Sequence, residues 1–252
     1  MSERERVASY RLADVVVRVE SLHGDVHELC REYRCDAMPD LVVRTTQDDI
    51  DFERRRSEAA DAAAGRRLHA FSDGYLETLA VYRKIAEAVP ACSTMLVHGS
   101  CVAVDGAAYL FCAPSGTGKS THARLWRELL GERAMMVNDD KPLVRVLDDG
   151  AIAYGTPWDG KHRLSTNTAV PLRGICLLRR ADANRIERLD QVEARSAMLR
   201  HVYRPLDPAT LVLTLGLVDR LLACVDLWRL GCNMDIEAAR VSRAAMTGGG
   251  LA

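Results

Sequence analysis

Lys119 and Ser120 stand near the end of CAPSGTGKST (residues 112–121), where two glycines, Gly116 and Gly118, alternate with small hydroxyl residues. Glycine lets the main chain turn tightly and aim several N–H groups at one point, which makes a concave surface suited to an anion. A lysine beside it can reach the outer phosphates of a nucleotide, and the neighbouring hydroxyl can ligate the magnesium that bridges them. Twenty residues beyond Lys119 come two adjacent carboxylates, Asp139 and Asp140. Such a pair can divide labour between magnesium and general base. Neutralised phosphate charge, a metal bridge and a proton acceptor are what phosphoryl transfer needs. A helix cap or turn is the plainer reading of the same Asp pair.

These residues need elements to hold them. Before the glycines runs AAYLFC (107–112), a short apolar strand, and after them STHARLWREL (120–129) places Ala123, Leu125, Trp126 and Leu129 at helical spacing. In a strand–loop–helix order the donors meet a helix N-terminus, where unpaired amides and the helix dipole favour phosphate. The pattern G-x-x-x-x-G-K-[ST] fails only at its first position, Ala113, which a methyl group spoils only where positive φ or close phosphate approach is required. The expected nucleotide-binding residues are Ala113, Pro114, Ser115, Gly116, Thr117, Gly118, Lys119, Ser120 and Thr121. A glycine-rich turn without a ligand is the alternative.

The composition is that of an ordinary globular protein: 252 residues, 48% hydrophobic, 27% charged, formal net charge −1. With 5% aromatic residues and no basic excess, neither the field nor the stacking platform of a nucleic-acid binder is present. No apolar stretch reaches bilayer length and the start, MSERERVASYR, is charged, so no membrane partner and a reducing cytoplasm are expected. Eight cysteines include no CxxC pair, and several lie in apolar runs such as YLFC and GICLL as small buried hydrophobes. The fold expected is α/β, a domain over 93–252 with a mixed β-sheet around the glycine loop, preceded by a small α+β section over 1–92 packed on it. Strands are expected at 14–19, 41–45, 94–99, 101–104, 107–112, 134–137 and 174–178, with hairpins at Asp105-Gly106 and Asp148-Asp149-Gly150. Helices are expected over 74–89, from Asp207-Pro208 to about Leu230, and from Asp235 to Met246.

A polar loop, GTPWDGKHRLSTN (155–167), gathers Trp158, Asp159, Lys161, His162 and Arg163. It could close over substrate, with Asp159 as a further metal ligand and Lys161 paired to phosphate; a surface excursion between strands is the other reading.

Read together and in order, HGSCVAVDG, APSGTGKS and VNDD resemble the catalytic domain of HPr kinase/phosphorylase, with His98 fifteen residues before Ala113 as in that family. SGTGKST is also similar to the loop of ATP-type phosphoenolpyruvate carboxykinase, a relative in fold. The resemblance spans about 94–180. It implies ATP and Mg²⁺ as cofactors, Asp140 as base, His98 beside the γ-phosphate or the acceptor, and Arg204 at the active site. Ala113 replaces a glycine, Thr121 stands where those kinases usually have glutamate, and their proline-glycine-arginine-asparagine segment is missing. Recognition of HPr and the reverse phosphorylase reaction therefore do not carry over. The chain looks more like the shorter, stand-alone relatives, some associated with modifying small peptides. The function implied is an ATP-dependent kinase acting on a hydroxyl of a small protein, peptide or metabolite. A nucleotide-sensing switch and a carboxykinase-like lyase are the alternatives, and the oligomeric state stays open.

Overall fold

The computed structural model describes residues 6–160 and 162–248. The chain divides into two compact units, one ending at Val89 and the other beginning at Pro90, three residues before the boundary expected from the sequence.

The first unit is a four-stranded sheet with helices. Strands β1 (Val7–Leu12) and β2 (Val15–Glu20) form an antiparallel hairpin; β3 (Arg34–Cys35) pairs with β1, and β4 (Leu41–Arg44) lies parallel to β2, in the order β3-β1-β2-β4. Helices α1 (Asp25–Leu29), α2 (Gln47–Ala63) and α3 (Asp73–Ala88) complete it. The charged 52–67 stretch falls largely within α2, and most of its polar side chains are exposed. α3 buries Leu76, Val81, Tyr82 and Ile85, the helical stripe expected from the spacing.

The second unit is built on a nine-stranded mixed sheet. Its strands are β5 (Thr94–Leu96), β6 (Ser100–Val104), β7 (Ala107–Cys112), β8 (Ala134–Asn138), β9 (Leu143–Val146), β10 (Ala151–Tyr154), β11 (Ala169–Arg180), β12 (Arg185–Arg188) and β13 (Asp226–Cys232). β11 is the hub: it pairs antiparallel with β10 through 169–171, parallel with β7 through 172–177, and parallel with β13 through 174–180. Asp105 and Gly106, both at positive φ, turn β6 into β7 as the dipeptide suggests.

Both faces of this sheet are covered. Helices α5 (Gln191–Met198) and α6 (Pro208–Cys224) bring Met198, Leu217 and Leu221 into the core with Val97, Leu110 and Val137. On the other face α4 (Lys119–Leu130) and α7 (Ile236–Thr247) bring Trp126, Ala123, Ala239 and Met246 against Phe111, Tyr109 and Cys176. One expectation is corrected: the helix from Pro208 ends at Cys224, not Leu230, and 226–232 is strand β13. The run there is largely apolar, broken only by Asp226 and Arg229, so periodicity marks no boundary, and the edge of β11 decides.

Candidate functional site

β7 and α4 are joined by residues 113–118, so the strand, loop and helix follow in the order expected. Gly116 (φ 76°) and Gly118 (φ 122°) occupy backbone conformations that side chains rarely adopt. Space above Gly116 is open to beyond 4 Å, and at Gly118 only Thr121 Cβ comes as near as 4.0 Å. α4 then starts at Lys119 with no side-chain cap and no acidic residue in its first turn. Its first amides therefore lack the usual side-chain acceptor, and an anion there would meet both the free N–H groups and the positive end of the helix. Ala113 is buried in the core against α4, which explains why a methyl group is accommodated at that position. Pro114, Ser115 and Ser120 are exposed, and Thr117 and Thr121 are half-buried. Arg180, at the end of β11, donates to the Gly116 carbonyl at 2.7 Å and holds the loop's tip; no sequence pattern marked it.

Lys119 is buried, and its Nζ donates to the Ala113 carbonyl at 2.9 Å and lies 3.1 Å from His98 Nε2. His98 Nδ1 lies 3.2 Å from Asp140 Oδ1, and Lys141 Nζ is 3.5 Å from the other oxygen. An ammonium only donates, so with Lys119 charged Nε2 must accept and the ring proton sits on Nδ1, directed at the carboxylate. Burial lowers the Lys119 pKa below its ordinary value, and the opposing charges of Asp140 and Asp139 restore it only in part. Burial acts on Asp140 in the raising direction, but the His98 hydrogen bond and the charges of Lys141 and Lys119 outweigh it. Its carboxyl therefore titrates below the usual carboxylate value.

Asn138, the last residue of β8, sets the Asp pair. Its side-chain oxygen accepts from the amides of Asp140 (2.9 Å) and Lys141 (2.6 Å), and its amide donates to the Thr156 carbonyl and hydroxyl. This Asx-type turn directs the two aspartates differently. Asp140 reaches His98, whereas Asp139 is buried and accepts from Ser100 Oγ at 2.8 Å. The main chain at Gly160 lies against Asp139: a Cβ there would fall 2.8 Å from its Oδ2.

The 155–167 loop runs from β10 to β11. Gly155, Thr156 and Trp158 are buried, and the Trp158 carbonyl accepts from Asn138 and Thr156. The Trp158 ring, expected to face substrate, is thus part of the core, 6% exposed. Asp159 accepts from the Ser165 amide at 3.3 Å, His162 and Arg163 are exposed, and Lys161 lies outside the described residues. Arg204 is exposed, beyond the strand segment that approaches His98. Among the described residues no group of three or more His, Cys, Asp or Glu is placed to hold a metal ion. A magnesium using Ser120 and Asp139 would take its remaining ligands from phosphate and water, as that ion ordinarily does.

The family model for SynChlorMet cassette protein ScmC matches residues 75–204, more than half of the chain. The chain belongs to this ScmC family. No curated protein matches this ScmC-family chain. Among solved structures it is similar to the HPr(Ser) kinase/phosphatase from Coxiella burnetii, at 12% identity and a TM-score of 0.32, over 61% of this chain and 99% of that one. A likeness that distant says nothing of activity. Among the described residues, no helix is long and apolar enough to cross a membrane.

Proposed function

We propose that the chain is an ATP-dependent kinase that transfers a phosphoryl group to a hydroxyl of a small protein, peptide or metabolite. The observation that carries this reading is the line Lys119–His98–Asp140 at the mouth of an open glycine loop. The amides of 115–121 hold the phosphates of ATP, and Lys119 exchanges its contacts with His98 and the Ala113 carbonyl for phosphate oxygens. That exchange suits a buried ammonium whose charge is only partly compensated in the free site. Ser120 and Asp139 would hold magnesium, which would supply charge neutralisation for the phosphates. Asp140, kept ionised and oriented by His98, accepts the proton of the acceptor hydroxyl.

The first test needs no acceptor. Lys119→Ala should abolish magnesium-dependent ATP binding in calorimetry and leave the circular dichroism spectrum unchanged; undiminished binding would end this reading. A mass-spectrometric search for a peptide or metabolite that gains one phosphoryl group with ATP would then identify the acceptor.

A further inference from the structure

His201 lies directly across a strand pairing from His98. Val97 and Val202 form an antiparallel bridge, the His98 amide donates to the His201 carbonyl at 2.7 Å, and the Tyr203 amide donates to the Leu96 carbonyl at 2.9 Å. Residues opposite each other in an antiparallel pair put their side chains on one face, and His98 and His201 stand opposite each other one step from the Val97–Val202 bridge. The face in question is fixed by His98, whose ring reaches Lys119 on one side and Asp140 on the other. His201 therefore belongs to the same face as the lysine at the glycine loop.

Two further observations bear on its state. Neither ring nitrogen of His201 has a hydrogen-bond partner among the described residues, although the side chain is half-buried. Burial, and then the charges of Lys119 and Arg200, push its pKa down to about 4. At neutral pH it is an uncharged imidazole with one N–H to give, beside the cationic Lys119 and Arg200. Those surroundings favour an anion, and a neutral donor can bind one without first competing for a proton.

We propose that His201 contacts the terminal phosphate of a bound nucleoside triphosphate, donating a hydrogen bond to it beside His98. This rests on the nucleotide-binding reading of the glycine loop. Lys119 serves the outer phosphates, and His98, which stands opposite His201, bridges from Lys119 toward Asp140, where the group to be transferred must face the base.

Because the strand pairing uses the His201 main chain, His201→Ala removes the ring and leaves the bridge. Calorimetry on the full chain compares MgATP with MgADP. His201→Ala should weaken MgATP binding about tenfold and MgADP binding less than twofold, and His201→Gln, which keeps an N–H donor, should recover most of the loss. Equal losses for both nucleotides, or none, would overturn the proposal. Should His201→Ala fail to fold, the ring resonances of His201 in the wild-type chain decide: they shift with MgATP and not MgADP if the contact exists, and an equal response to both removes it. A wild-type chain that binds neither nucleotide ends the kinase reading itself. Binding abolished by Lys119→Ala, with the ATP-to-ADP preference unaltered by His201→Ala, removes only this inference.

Discussion

Asp139 and Asp140 are neighbours in sequence yet sit in different surroundings, and that separates their roles in an experiment. Asp140 faces His98 and Lys141, while Asp139 is buried against Ser100 and the Gly160 main chain. Asp140→Asn keeps the shape but removes the basic site, so transfer should fall about 10²- to 10⁴-fold with near-normal MgATP affinity. Asp139→Asn should instead weaken MgATP binding; the reverse pattern exchanges the two roles, and full transfer in both would remove the catalytic reading of the pair. The depressed pKa of Asp140 adds a pH statement. Its carboxylate stays ionised as pH falls through the ordinary carboxylate value, so in the free chain Asp140 causes no loss of kcat/KM above about pH 4. The glycine loop and the Asp pair are legible in the sequence because their chemistry demands particular residue types at close spacing. His201 and Arg180 are not. A histidine in HVYRP or an arginine ending a strand carries no signal until the Val97–Val202 bridge and the Gly116 contact bring distant segments together.

At the scale of elements, the helix that begins at Lys119 is fixed from behind by α7. Ser242, fully buried on α7, donates to the Ala239 carbonyl, so its oxygen is left to accept from Trp126 Nε1 (2.8 Å) and from His122 Nε2 (2.9 Å) on α4. That places the His122 proton on Nε2 and leaves Nδ1 buried without a partner, and burial pushes the ring's pKa down to about 4. Between pH 6.5 and about 4 the unfolded chain binds a proton here that the folded chain does not, so the contribution of His122 to stability is complete above pH 6.5. It is lost as pH falls through that window. The loss from pH 7.5 to pH 5 is about 2 kcal/mol. Urea unfolding of wild type and His122→Gln at the two pH values checks it: the stability difference between them should shrink by about that amount, and a constant difference would mean that His122 protonates alike in both states. The helix α4 itself is readable from its apolar spacing. Its clamp is not, since Ser242 is an ordinary helical serine in sequence. The end of α6 is hidden for another reason: LLACVDLWRL is apolar enough for either element, and only the free edge of β11 draws 226–232 into a strand.

For the whole molecule, the cysteines provide reporters. All eight are free, and four are fully buried: Cys30 in the first unit, and Cys101, Cys112 and Cys176 in the second. Burial raises the pKa of all four thiols, so at neutral pH the folded chain offers almost no thiolate at these positions. Their alkylation therefore reports opening of the surrounding core. Each unit has its own sheet, and the first is the smaller, burying a smaller share of its surface on folding. Cys30 should then become labelled at lower urea concentration than Cys176, as read by mass spectrometry of peptides after a brief alkylation pulse. Coincident labelling would mean that both units unfold as one cooperative body. Nucleotide sharpens the test. Cys112 ends β7 just before the glycine loop, so a ligand bound there stabilises the folded second unit by mass action, and MgATP at about a hundred times its dissociation constant should add about 2.7 kcal/mol. Labelling of Cys101, Cys112 and Cys176 should shift to higher urea with MgATP, while Cys30 follows only if the two units are coupled. A shift that persists in Lys119→Ala would place the bound nucleotide somewhere other than the glycine loop.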